Sequence, residues 1–311
     1  MAKKEKIDLT DLETYYFYRD KFDKSLVSRL SHQQRLMLHP LLLKIISHRN
    51  KKAGFKIETL YDLREKTDKP IIFAITHIGK FDIEVASEII KDHYYLLSGD
   101  FENMMGTIEE KFLGLNGVVY IREDDKEDRK LSKEKMIKTL KNGGNMMYFP
   151  EGTWNLTPNL PVLQCPYGII EVAMRSGATI VPIGIEQYGK KFVAAVGKNF
   201  DVSKYSPEEK IEAISDLRDK LAALKWDIWE SIPDEEKAKM NEDWFNSHVN
   251  ERLEEWPNMP LEQFLDSAFK PKHIIEEKEV FSFLENMEIN SNNCFLAKSK
   301  DEYVKKYIKK Q

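Results

Sequence analysis

The 311-residue sequence has little cysteine, no long apolar run and almost no surplus charge, and each shortage removes a class of protein. Two cysteines, Cys165 and Cys294, are too few and too far apart for a disulfide framework or a zinc cluster, and both read as small buried hydrophobes. No window approaches the roughly 20 apolar residues that span a bilayer, so an integral membrane protein is not expected. The opening segment Met1 to Lys6 is charged where a secretory leader would be apolar, which predicts no signal peptide and a cytoplasmic compartment. A net charge of −4, without a basic stripe interleaved with exposed aromatics, argues against a nucleic-acid partner. Six of the seven histidines, His32, His39, His48, His93, His248 and His273, lack the paired spacing of metal ligands, and no metal site or cofactor is expected. Internal repeats and low-complexity stretches are absent as well.

What charge there is lies unevenly. Residues 1–52 hold twelve Lys/Arg against six Asp/Glu, while residues 201–297 hold eleven against twenty-three. The basic end suits an anionic membrane surface. There, Leu12, Tyr15, Phe22, Leu26 and Leu30 recur at helical spacing, and the most apolar stretch of the chain, Leu36 to Ile46, follows with Arg35, Arg49, Lys51 and Lys52 around it. Residues 1–60 therefore read as an N-terminal amphipathic helical pair. Two roles stay open for the second helix: lying in a membrane interface, or covering a central sheet after a kink at Pro40.

Between Lys69 and Gly197, β-rich runs alternate with helical patterns. The strands expected are Ile71–Ile75, Tyr94–Leu97, Val118–Ile121, Met146–Phe149, Ile180–Ile185 and Phe192–Val196, and the helices Ile83–Lys91, Leu131–Lys141 and Tyr167–Ser176. This alternation predicts an α/β core over residues 61–200, a twisted, largely parallel or mixed central sheet flanked by helices. Ser206-Pro207-Glu208-Glu209 then combines an N-cap serine, a first-turn proline and a third-position glutamate, and opens an acidic helical C-terminal extension over residues 201–311.

Chemistry-bearing residues cluster at the ends of the expected strands. His77 and Asp82 flank a polar turn after the first strand, where a carboxylate can hold one imidazole nitrogen and leave the other free to take a proton. Gly117 to Arg122, Phe149-Pro150-Glu151-Gly152-Thr153 and Ile180-Val181-Pro182-Ile183 follow in order. Parallel strands would bring these polar residues to one edge of the sheet.

The four blocks together resemble the glycerolipid acyltransferase superfamily, of which the 1-acylglycerol-3-phosphate acyltransferases are the best-known members, over roughly residues 65–200. The resemblance implies an enzyme moving a fatty acyl group from acyl-CoA or acyl carrier protein to a hydroxyl of a lysophospholipid such as lysophosphatidate, peripherally bound to the inner face of the cell membrane. It implies His77 as general base, Asp82 as its orienter, Glu151, Gly152 and Thr153 as the acceptor and assembly loop, Arg122 as a phosphate ligand, Lys80 as an auxiliary cation, and Pro150 and Pro182 as residues that shape the site. No covalent acyl-enzyme is expected, because the blocks contain no serine or cysteine. The sequence departs from the family at Trp154-Asn155, where arginine and serine usually stand, and at Gln164 to Gly168, where a lysine is usual. Two cations are thus replaced by an indole and a phenol. Trp154 then reads either as a wall for a sugar ring or as packing, and the alternative acceptor as a glycolipid or other headgroup without phosphate. A lipid or thioester hydrolase using the same dyad is the third reading.

Overall fold

The strand Ile71–Ile75 (β2) is buried along almost its whole length, and its alternate side chains enter two different cores. Ile72 and Ala74 point to one face of the sheet, and Phe73 and Ile75 to the other. A strand covered on both faces reads as a continuous apolar run, which is why this stretch is legible as a strand in a layered α/β fold.

The computed structural model describes residue 9 and residues 11–157, 160–255 and 275–310. The charged Met1–Lys6 segment and His273 lie outside the described residues. Strands β1 (Lys56–Asp62), β2, β3 (Tyr95–Ser98), β4 (Val118–Tyr120), β5 (Met146–Tyr148), β6 (Thr179–Tyr188) and β7 (Lys191–Val196) form one sheet in the order β1-β7-β6-β2-β5-β3-β4. Every neighbouring pair is parallel except the hairpin β6/β7. The chain leaves β2 through α3 (Asp82–Ile90) toward β3, and leaves β5 through α7 (Gly168–Ser176) toward β6 on the opposite side of β2. Loops after β2 and β5 therefore diverge at a switch in winding direction, where α/β sheets leave a crevice.

One core packs α6 (Lys126–Lys141), α7 and α8 (Lys210–Ser231) on the sheet, and the other packs α3. The capping box read at Ser206 is present, with a short turn Pro207–Glu209 leading into α8. α8 buries Ile214, Leu217, Leu221, Leu224 and Ile228 against the sheet, so the change in composition near residue 200 does not mark a break in the fold. The break lies between residues 268 and 269. Likewise the limit expected at residue 60 falls inside β1, a polar strand at the sheet edge whose burial does not alternate cleanly.

At the N-terminal side, α1 (Leu12–Asp23) buries Tyr15, Arg19 and Phe22, and Phe22 and Tyr15 pack with Phe101 and Tyr120. α2 (His32–Ala53) continues through Pro40 and packs against α3 and α5 (Ile108–Asn116). The short α4 (Phe101–Met104) and α5 were not foreseen from the sequence. Beyond α8 come α9 (Asp234–Lys237) and α10 (Glu242–Glu255). The second unit, residues 269–311, contains short helices at Glu277–Val280 and Ala297–Tyr303, with Lys306 paired to Glu277 at 2.7 Å. Cys165 is buried as expected, whereas Cys294 is exposed, because the short turns around it bury few side chains.

Candidate active site

β2 and β5 are hydrogen-bonded neighbours with Ala74 abreast of Tyr148. Three residues further on, the two strands deliver His77 and Glu151 to the same edge of the sheet. The two loops then hold each other by hydrogen bonds. The His77 backbone N–H donates to Glu151 Oε1 at 2.8 Å, and the Asn155 N–H donates to the His77 carbonyl at 2.7 Å. Glu151 Oε2 accepts from the Leu163 N–H at 2.8 Å. Both oxygens of this buried carboxylate are thus occupied by backbone groups, and burial pushes its pKa up to about 6 while those two N–H groups pull it down. Glu151, expected among the substrate ligands, is turned into the fold as the brace that joins the loops.

His77 Nδ1 lies 2.7 Å from Asp82 Oδ2. Asp82 is the first residue of α3, but its side chain does not cap the helix. It reaches back into the turn, where Oδ2 also accepts from the N–H groups of Ile78 at 2.6 Å and Gly79 at 3.0 Å. The two backbone N–H groups fix Oδ2 as an acceptor in this turn. With Oδ2 accepting, His77 Nδ1–H is the donor of this pair and the Nε2 lone pair is left for other use. Nε2 has no hydrogen-bond partner among the described residues. The imidazole is stacked on Phe149 at a centroid distance of 4.3 Å and meets Trp154 edge-on at 6.3 Å, while its side chain keeps 20% exposure. The ring is therefore held on three sides and open on the fourth.

The remaining expected residues sit at different distances from this centre. Pro150 is buried where β5 enters the loop, and Gly152 makes the turn with φ +72, a conformation glycine adopts at little cost. Thr153 is half-buried on the same loop, and Trp154 packs with Leu156 under Val249 and Leu253 of α10. Lys80 is exposed, its ammonium 5.7 Å from the Phe81 ring centre. Pro182 lies within β6, abreast of Ala74, so it belongs to the sheet below the site. Arg122 bonds Asp124 through Nε at 3.0 Å and the Leu9 carbonyl at 3.2 Å, and lies over the Tyr15 ring. Arg122 is thus ion-paired with the acidic run that follows it. The neighbouring Glu123 faces the turn at Gly152, its carboxylate 3.6 Å from where a Cβ on that glycine would stand. Burial raises the pKa of Glu123, against the pull of Arg129.

Cys165 offers no nucleophile: burial and the nearby Glu151 push its thiol up to about 12, so it is protonated near neutrality. The contact that sequence reading missed altogether comes from α10, where Arg252 donates to the Ile78 carbonyl. Nothing in the sequence links position 252 to position 78.

With this geometry in view, comparison with known proteins is informative. Residues 55–186 match the acyltransferase family. They form an acyltransferase domain. The match spans β1 through most of β6 and includes all four sequence blocks. Curated proteins give no match. Among solved structures the chain is similar to the crystal structure of the 1-acyl-sn-glycerophosphate (LPA) acyltransferase PlsC from Thermotoga maritima, with a TM-score of 0.54 and 16% identity over 71% of this chain and 93% of that one. That similarity carries the fold alone: a largely parallel seven-stranded sheet with helices on both faces.

Proposed function

We propose that this protein transfers a fatty acyl group from a thioester donor, acyl-CoA or acyl carrier protein, to a hydroxyl of a lysophospholipid-type acceptor. The observation that carries the reading is the His77–Asp82 pair with an open Nε2, set in an acyltransferase domain. His77 Nε2 removes the hydroxyl proton as the oxygen attacks the thioester carbonyl. Asp82 stabilises the imidazolium through Nδ1–H. The tetrahedral intermediate then collapses, the carbon–sulfur bond breaks, and the imidazolium returns the proton to the leaving thiolate. Thioester and alcohol become ester and thiol, with no covalent enzyme intermediate. Phe149 and Trp154 keep the imidazole from swinging away from Asp82.

The acceptor of the Thermotoga enzyme, 1-acyl-sn-glycerophosphate, is the first to test. A second acceptor class, an uncharged polyol or sugar headgroup, is favoured by a specific observation: the position facing Gly152 is the acid Glu123, while Arg122 is engaged by Asp124 and Leu9. A carboxylate there accepts hydroxyl protons and repels a phosphate. The test is thiol release from a long-chain acyl-CoA and from acyl carrier protein, with lysophosphatidate, a neutral lysolipid or no acceptor, beside His77→Ala. Acceptor-dependent release that disappears in the variant supports transfer by this base. Release independent of any acceptor means a hydrolase. Faster turnover of the neutral acceptor, reversed by Glu123→Arg, supports the second class.

We also infer that the protein works at an anionic membrane face. α2 carries apolar side chains on two faces: Leu42 and Ile46 are buried beside the hydrogen-bonded Arg35, His39 and Asn50, while Leu36, Met37, Leu41 and Ile45 face outward, Met37 at 82% exposure. An apolar stripe turned outward beside Lys44, Arg49, Lys51 and Lys52 matches an interfacial helix. Among the described residues no helix is long and apolar enough to cross a membrane.

A further inference from the structure

We infer that Arg252, on a helix outside the matched domain, is a positioning residue for the His77–Asp82 pair. Arg252 is almost fully buried. Its Nε donates to the Ile78 carbonyl at 2.7 Å, and its Nη2 donates to Gln187 Oε1 at 2.6 Å. The peptide that receives this guanidinium joins Ile78 to Gly79. Its other end, the Gly79 N–H, donates to Asp82 Oδ2 at 3.0 Å. One peptide unit is therefore held between a guanidinium on its oxygen and a carboxylate on its nitrogen. A charged donor on the carbonyl polarises the amide and strengthens the N–H as a donor, so the two bonds reinforce each other.

The approach is close enough to constrain the sequence. A Cβ on Gly79 would stand 3.2 Å from Arg252 Nε, inside ordinary contact. Glycine at 79 thus has a reason beyond the turn itself: it lets the guanidinium reach the peptide. The same face of α10 carries Val249 and Leu253, which pack on Trp154 and Leu156, and Trp154 is the edge-on neighbour of His77. α10 therefore touches the site twice, on the turn that orients Asp82 and on the indole that confines the imidazole. Arg252 touches neither reacting atom, and its effect passes through the Ile78–Gly79 peptide.

This inference rests on the assignment of His77 and Asp82 as base and orienter, and its test must separate the two. The test uses the full chain with Arg252→Gln, Arg252→Lys, Gly79→Ala, Asp82→Asn and the double variant Arg252→Gln/Asp82→Asn. Proton NMR supplies a readout independent of activity: the downfield resonance of His77 Nδ1–H, identified by its loss in His77→Gln. The expected result is that Arg252→Gln weakens or abolishes that resonance and lowers kcat about 10- to 100-fold, with the acceptor KM changed less than threefold. Arg252→Lys restores part of both, and Gly79→Ala reproduces part of the loss. Adding Arg252→Gln to Asp82→Asn has no further effect on kcat, because the bond through which Arg252 acts is already gone. An unchanged resonance and kcat in Arg252→Gln, or losses that multiply in the double variant, overturn the inference. A folded protein in which Arg252→Gln removes the resonance but the parent transfers no acyl group keeps the positioning role and refutes the proposed function instead.

Discussion

Replacing Glu151 by glutamine tests the brace between the loops that follow β2 and β5. The carboxylate is 6% exposed and accepts one backbone N–H on each oxygen, from His77 and Leu163. Its pKa stands at about 6 instead of the ordinary 4.5. At about 1.4 kcal/mol per pH unit, keeping it ionised at neutral pH costs about 2 kcal/mol. The folded value lies above the unfolded one, so the folded protein binds the extra proton. That contribution is fully present below pH 4.5 and lost as pH rises through about 6. Glutamine removes the charge but keeps only one acceptor, and its amide points a donor at a backbone N–H, a buried mismatch worth about 1–3 kcal/mol. At pH 7 the two effects nearly cancel, and stability should change by no more than about 1 kcal/mol. Activity has no such compensation: with the His77 backbone or the Leu163 segment released, kcat/KM should fall about 100-fold. Urea unfolding at pH 4.5, 6 and 7.5, beside initial rates of thiol release, checks both. The reasoning is refuted if the glutamine variant keeps kcat/KM within threefold of the parent, or if parent and variant lose stability in parallel between pH 4.5 and 7.5.

Three further outcomes follow from the same structure. His77→Ala and Asp82→Asn should each lower kcat by 10³-fold or more, the first by removing the base and the second by allowing the wrong tautomer, at the scale of a catalytic dyad, while circular dichroism shows the fold retained. Met37→Asp with Leu41→Asp should reduce sedimentation with anionic vesicles about 100-fold, since two outward apolar side chains of roughly 1.5 kcal/mol each are lost and two like charges added; undiminished vesicle binding refutes the interfacial role of α2. Leu221→Ala, at a fully buried position of α8 in the sheet core, should cost about 2–5 kcal/mol in urea unfolding; a loss below 1 kcal/mol would show that α8 is a detachable addition.

How much of this was legible before folding depends on how far apart the interacting residues lie. His77 and Asp82 are five positions apart, and one turn brings them together, so the pair could be read as a pair. The strands β2, β5 and β6 announce themselves because burial on both faces demands unbroken apolar runs. The Ser206 capping box is likewise a contact between near neighbours. β1 was missed because an edge strand has one side open to solvent and keeps polar residues such as Lys56, Glu58 and Asp62. Which apolar side chains of α2 face outward also escaped, since periodicity reveals a stripe but not which side of the helix meets the core.

By itself, then, the sequence determined the α/β class, the order of the four blocks and the residues competent to hold and move a proton, because each of these is written in spacings of a few residues. Only the tertiary structure decided that Glu151 faces inward as a brace, that Glu123 lies against the turn at Gly152, and that Arg252 bonds the peptide whose N–H meets Asp82. Each of those choices turns on strand register and helix docking between segments far apart in the chain, and such pairings are set by which surfaces fit when all are buried together, not by any local pattern.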